Sequence, residues 1–463
     1  MILPLDDAAT APVLNGGNAA WMLVATALVL LMTPGLAFFY GGMVRSKNVL
    51  GMLMHNMICM GVVSVLWVFG AYSLAFGGSD GAGAHKWIGT FDLSLLNGSA
   101  TGGSMLTQVG SYPTIVFAAF QLTFAIITPA LISGGIAERV RFAPFVAFVC
   151  IWAVAVYAPI AHWVWGGGWL AQFHAVYDKG VMTKLGIEDF AGGTVVHINA
   201  GIAALALILI VGKRIGWRKD PMRPHNVPFV MLGAGLLWFG WLGFNAGSEL
   251  AADSTAGFAL FNSIVAPGAA MLAWLAVEKM RDGHATSLGA ASGIVAGLVA
   301  ITPACGFVDP VGAVALGLVA GAVCALAVGL KFKLGFDDSL DVIAVHLVGG
   351  IIGALSIGFI GNADINGLGR DGLLYGGGLG QLGRQAVGVT ATIVYGGVVS
   401  FIIGLIVNAV SKLRATSDSE LEGLDTTIHG ESAYETSGLG GSRSNASHVG
   451  SVPSALSTQG VDA

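Results

Sequence analysis

The sequence predicts an all-α polytopic membrane protein of eleven transmembrane helices, organised as two inverted five-helix repeats plus one additional helix. Three observations predict it: a composition that only hydrocarbon can solvate, eleven apolar runs of spanning length, and basic residues that fall on alternate connections. Charged residues make up 10% of the 463 and hydrophobic residues 55%, with a mean hydropathy of +0.78. Soluble proteins carry about 25% charged residues. A chain so poor in charge suits a bilayer, where every backbone polar group must be satisfied internally. The 70 glycines fit the same reading, because small residues let membrane helices approach closely. No basic run points to nucleic acid. Cys59, Cys150, Cys305 and Cys324 have neither metal-ligand spacing nor the density of a disulfide framework.

Apolar runs of about 20 residues fall near 20–41, 49–76, 113–136, 142–165, 190–212, 227–248, 256–277, 285–305, 309–330, 338–361 and 385–411. Together they delimit a transport domain over 20–411. Residues 1–19 are expected to be an extracytoplasmic segment. Their first 18 residues hold no Lys or Arg but do hold Asp6 and Asp7, which is unlike a secretory signal. The segments after odd-numbered helices carry fifteen basic residues, among them Arg45, Lys47, Arg139, Lys213, Arg214, Lys331 and Arg414. Those after even-numbered helices carry five: Lys86, Lys179, Lys184, Arg370 and Arg384. The positive-inside rule then puts the N-terminus outside and the C-terminus in the cytoplasm. Residues 412–434 are expected to form a cytoplasmic tail. Residues 435–463, rich in Ser and Gly and lacking aromatics, are expected to be disordered.

An internal repeat points to the site. Residues 189–202 read DFAGGTVVHINAGI and residues 338–351 read DSLDVIAVHLVGGI. Each has an Asp, a His eight positions on with Val before it, and Gly-Ile at a shared offset after it. Five spans separate the copies, an odd number, so they cross the membrane in opposite directions. Inverted repeats place the substrate site at their interface. If the Asp residues open helices 5 and 10, His197 and His346 lie about 12 Å deeper, at 1.5 Å per residue, and meet near mid-membrane. Ionisable groups there are costly and mark function. The alternative is that each imidazole donates to a neighbouring carbonyl and simply ties helices together. Bis-His haem or metal ligation lacks supporting Cys or carboxylate spacing. Asp189 is expected to cap its helix while favouring a nearby cation; Asp338, clustered with Asp337 and Asp341, reads as a structural helix start.

Further stretches are specific in combination: FFYGGMVRSKN at 38–48, FQLTF at 120–124, ERVRF at 138–142, HWVWGGG at 162–168, GFNAGS at 243–248 and TPACG at 302–306. With the His repeats, and in this order over residues 20–434, they resemble the ammonium transporter, methylammonium permease and Rh family, in its bacterial ammonium transporter branch. The resemblance implies a homotrimer in the cell membrane with one pore per subunit. It assigns Phe120, Trp165 and Ser248 to an external cation-capture site, Asp189 to the vestibule, Phe124 and Phe244 to a phenyl gate, and His197 and His346 to a twin-histidine pair. It also implies a PII-type signalling partner for the tail motif GLDTTIHGESAY at 423–434, whose Asp425, His429, Glu431 and Tyr434 are expected to bond the basic loops. On their own, apolar aromatics pack against lipid or neighbours, and Trp165 suits an interface anchor.

Ammonium has four N–H donors, aromatic faces attract cations, and a Ser hydroxyl accepts a hydrogen. Unlike potassium, ammonium can lose a proton, and neutral imidazoles can take one. The expected function is therefore ammonium and methylammonium uptake, with capture, deprotonation, ammonia passage and a proton relay. The alternatives are an ammonium sensor, which the short segment after helix 11 disfavours, and an ammonia or carbon dioxide gas channel, which an aromatic, Ser-containing vestibule disfavours. No nucleophile–base pair or cofactor motif suggests an enzyme.

Overall fold

A computed structural model describes residues 14–78, 83–96, 108–109, 111–172 and 185–434. The expected external segment is thus seen only from Leu14, and the expected disordered tail at 435–463 lies outside the described residues. Ten described helices are long and apolar enough to cross a membrane: α1 (Gly16–Met43), α2 (Ser46–Phe76), α3 (Thr114–Gly135), α4 (Phe142–Val164), α5 (Gly193–Val211), α6 (Val227–Glu249), α7 (Ser254–Asp282), α9 (Pro310–Leu334), α10 (Ile343–Ile360) and α11 (Gly380–Val410). The remaining expected span is α8 (Ser287–Ile301), apolar but shorter. It ends early because the TPACG stretch and Phe307 after it turn out of the helix.

Caps explain several starts. Asn15, Asn226, Asp253, Thr286 and Asp309 each accept backbone N–H groups from the first turns of α1, α6, α7, α8 and α9, satisfying donors that a helix start leaves free. Glycine sets the packing. A Cβ on Gly233 of α6 would stand 2.3 Å from the backbone N of Phe39 in α1, and one on Gly321 of α9 would stand 2.1 Å from the carbonyl O of Ala270 in α7. Backbones this close gain dispersion contacts that lipid cannot supply to a spaced pair.

The repeats are inverted in space. Trp165, edge-on to Phe124 of α3, donates to the carbonyl of Asp189, so α5 begins toward the Phe120 end of α3. Ser339 donates its N–H to the carbonyl of Gly135 at the other end of α3 (3.2 Å), so α10 begins at the opposite face.

At that second face the odd-numbered connections converge on buried ion pairs. Glu138 meets Arg45 (2.9 Å) and Arg214 (3.0 Å), and Asp337 meets Arg214 (2.8 Å) and Arg139 (3.9 Å). Burial pushes the Glu138 carboxyl up, but Arg214 and Arg45 outweigh it and hold the group below its usual range. Asp337 is likewise held down by Arg214 and Arg139 against its burial. Glu138 has φ +69°, a conformation L residues rarely adopt, and its ion pairs help to hold it there.

The tail packs on this face too. The short helix α12 (Ser417–Glu422) directs Glu420 to Arg414 (2.8 Å) and to the N–H of Ile215 (2.6 Å). Asp425 accepts from the N–H groups of Leu50 (3.0 Å) and Gly51 (2.8 Å), while Asn48 accepts from Leu424 N–H (2.9 Å). The hydroxyl of Tyr434 lies 2.8 Å from Nε2 of His225, and His429 packs edge-on to Phe142. Asp425 thus serves the free amides at the start of α2 rather than a basic side chain. A helix N-terminus is itself an electropositive, donor-rich partner for a carboxylate.

Candidate functional site

Asp189 organises one side of the site. Its carboxylate accepts from the N–H groups of Gly192 (2.9 Å), Gly193 (2.6 Å), Thr194 (2.8 Å) and Val195 (3.3 Å), and from the Thr194 hydroxyl. Burial pushes this carboxyl up, and the Thr194 hydroxyl and the amides oppose the rise. The second repeat does the same with fewer donors: Asp338 accepts from Val342 (3.1 Å) and Ile343 (2.7 Å). These bonds correct the expected helix starts. Each carboxylate must reach around to free amides, so the residues between form a bend and the helices begin at Gly193 and Ile343 rather than at 190 and 338. Gly192, at φ +116°, makes the first bend; a Cβ there would also stand 2.7 Å from Val196 Cγ2. Both helices then open with a π-helical turn, Gly193–Ile198 and Ile343–Val348, that contains the histidine. The depth expected from a regular helical rise therefore does not apply. Such widened turns recur at functional sites because they re-aim one side chain.

His197 and His346 meet. Their Nδ1 atoms are 3.3 Å apart and their rings stack at 24° with centroids 5.4 Å apart. Both side chains are buried, and Nε2 of His197 has no protein partner. The expected gate residues also meet: Phe124 and Phe244 stack at 4.2 Å and 29°. Phe244 lies 6.1 Å from His197 at 30°. The four rings therefore form one column, Phe124, Phe244, His197, His346.

The expected capture residues sit at the Phe124 end. Phe120, one turn before Phe124 on α3, packs against it at 4.9 Å. Trp165 packs edge-on to Phe124 at 5.9 Å and donates its indole N–H to the carbonyl of Asp189 (2.9 Å). Ser248, one turn after Phe244 on α6, donates its hydroxyl to the Phe244 carbonyl (2.8 Å), which leaves the oxygen's lone pairs able to accept. Its neighbour Gly247 abuts the Phe120 ring: a Cβ there would stand 2.9 Å from it. The Asp189 carboxylate faces the start of α5, so it bears on this end through the Trp165 bond and through its charge.

Two further members of the site were not assigned a role from the sequence. Trp241 stacks on His197 at 5.3 Å and 23°, and its indole N–H donates to the Thr302 hydroxyl (2.8 Å). Trp241 lies three residues before Phe244, on the same helical face, and that spacing was a readable signal. Thr302 stood in the TPACG stretch, but its contact with Trp241 had no signal, since it comes from the turn after α8. Beside the histidines lies a cavity with space for about one water-sized molecule, lined by Leu36, Ile127, Leu131, Trp241, Val295 and the two histidines among others. Apart from the imidazoles its walls are apolar.

The model of the Ammonium Transporter Family matches residues 20–434. An ammonium transporter of Mycobacterium tuberculosis strain H37Rv is 51% identical over 442 residues, 92% of each chain. Among solved structures, Saccharomyces cerevisiae Mep2 superposes with a TM-score of 0.78 at 36% identity, covering 88% of each chain. A sensor Amt protein superposes with the same TM-score of 0.78 at 31% identity, covering 88% of this chain and 97% of that one.

Proposed function

This chain belongs to the ammonium transporter family, and on that premise we propose that it takes up ammonium and methylammonium across the cell membrane through the column of rings. The Asp189 end faces outward and the ionic face lies in the cytoplasm, as the basic-residue count implies. Ammonium is held at the outer end by the faces of Phe120 and Trp165, with the Ser248 oxygen accepting one N–H. The stacked phenyl rings present no polar atom, so a bare charge moving past them pays a large desolvation cost. Loss of a proton removes that cost, and potassium has no such step.

The observation that carries this reading is the Nδ1–Nδ1 contact of His197 and His346. Two neutral imidazoles can make it only if one Nδ1 carries hydrogen and donates to the other's lone pair. The donor ring then has a bare Nε2 and the acceptor ring a protonated one. The pair offers one proton acceptor and one donor to what passes, as a relay needs: a proton taken at one Nε2 is matched by one released at the other, while ammonia moves along the apolar wall. If the proton also crosses, transport is electrogenic.

The same reading includes a homotrimer and docking of a PII-type signalling protein at the cytoplasmic face. The packing of the tail against the starts of α2 and the α5–α6 connection supports a regulatory role for residues 412–434. Current recording on proteoliposomes decides the central claim. An ammonium pulse should give a current, and potassium at matched concentration should give little; equal currents overturn the proposal.

A further inference from the structure

The segment that delivers Asp189 to the site has little regular structure of its own. Ile187 donates to the Leu170 carbonyl (2.9 Å) and Phe190 to the Pro303 carbonyl (3.1 Å). Between them, the main chain of Glu188 is held by a side chain from α11. Gln385 Oε1 accepts from Glu188 N–H (2.8 Å), and Gln385 Nε2 donates to the Glu188 carbonyl (2.8 Å). This amide acts as a substitute peptide, exchanging both bonds as a neighbouring strand would. Its remaining valences are also used. Oε1 accepts from Gln381 Nε2 (3.2 Å), and Nε2 donates to the Ala354 carbonyl of α10 (2.8 Å). With two lone pairs and two hydrogens all paired, and the residue buried, the amide has one orientation. The Glu188 side chain points elsewhere, its carboxylate 3.8 Å from Arg370.

We propose that Gln385 is a positioning residue for the capture end of the pore, acting through the main chain of Glu188 on Asp189 and Trp165. This rests on the capture role assigned to Trp165 above. The next carbonyl after the clamped one is that of Asp189, which accepts the Trp165 indole N–H. The carboxylate of the same residue sets the start of α5. A shift of residue 188 therefore reaches the Trp165 ring through a single hydrogen bond. Small displacements of positioning groups carry large kinetic effects. Only Gln at 385 supplies both a donor and an acceptor at this reach. Glu keeps the acceptor and sets an oxygen against the Glu188 carbonyl; Met keeps the length and supplies neither.

Methylammonium uptake by reconstituted full-length protein tests this, comparing wild type, Gln385→Met, Gln385→Glu, Trp165→Leu and Gln385→Met/Trp165→Leu. The expected result for Gln385→Met is a KM raised about three- to tenfold with Vmax within about twofold, the pattern of lost binding rather than lost chemistry. Gln385→Glu, which sets an oxygen against the Glu188 and Ala354 carbonyls, should also raise KM, and carries the test if the Met variant does not fold. The double variant should be no worse than Trp165→Leu alone, because both changes act on one contact. If Trp165→Leu raises KM while the Gln385 variants leave it unchanged, or if the two effects multiply, the inference is overturned. If Trp165→Leu leaves KM unchanged, the capture role of Trp165 fails first and this inference falls with it.

Discussion

Nδ1 of His197 and Nδ1 of His346 stand 3.3 Å apart, each from a π-helical turn that opens the fifth helix of its own inverted repeat. Each ring fixes the tautomer of the other, so removing either breaks the relay. His197→Ala or His346→Ala should fold and reach the membrane but lose deprotonation-coupled transport or its selectivity over potassium. Currents with ammonium and with potassium, on variants that purify as wild type does, check this. Wild-type rate and selectivity in both variants would remove the relay.

The Phe244 ring separates Phe124 from His197, stacked on the first at 4.2 Å and near the second at 6.1 Å. Phe244→Ala opens the narrow, apolar step that penalises a bare ion. The ratio of ammonium to potassium current should fall about tenfold or more, roughly 1.4 kcal/mol of discrimination. An unchanged ratio would mean that the barrier lies elsewhere in the column.

Two buried glutamates should respond to pH with opposite signs. Glu138 is held below its ordinary value of 4.5 by arginines; its contribution is complete above that value and is lost as pH falls through the folded value. Glu188 is pushed up to about 7 by burial, which Arg370 only partly offsets. Between pH 4.5 and about 7 the unfolded chain has released this proton and the folded chain still holds it, so stability falls as pH rises. Thermal unfolding in detergent should therefore show Glu188→Gln gaining on wild type toward neutral pH, by up to about 3 kcal/mol. Glu138→Gln should lose about 1.5–3 kcal/mol at neutral pH, since it weakens the hydrogen bonds to Arg45 and Arg214 while Asp337 still pairs with Arg214, and the loss should shrink on acidification. A pH-independent difference in either variant contradicts its assignment.

The tail and α2 exchange bonds, Asp425 with the amides of Leu50 and Gly51 and Asn48 with that of Leu424. Deleting 423–463 removes both halves of the exchange and should lower transport or alter binding of a PII-type protein. Deleting 436–463 leaves the exchange intact and should have a smaller effect. Asp425→Ala should destabilise the α2 start by about 0.5–2 kcal/mol, the usual cost of a lost cap. Uptake and pull-down assays on the two truncations decide, and identical behaviour of full-length and both truncated chains would end the regulatory role.

Much of the molecule is legible in its residues alone, for a physical reason. A bilayer admits few ways to satisfy a backbone, so apolar run length reported the helices, and α3, α4 and α6 begin and end within a residue or so of where the hydropathy put them. The paired Asp-to-His spacing likewise announced two histidines on inverted elements, because the repeat is written in the residues themselves. What the sequence could not carry was the meeting of groups far apart in the chain. Stacking of Trp241 on His197, the Thr302 hydroxyl beneath it, the Gln385 clamp and the Asp425 cap each join separate segments. The late starts of α5 and α10 belong with them. They depend on how far a carboxylate can fold back to free amides and on a π turn that inserts one residue, and neither leaves a mark in hydropathy. The sequence alone determined that this chain crosses the membrane many times and holds two imidazoles at matched positions. Only the tertiary structure decided that those imidazoles share one contact at the foot of a column of rings, because ring planes and hydrogen-bond partners are set by close packing between helices.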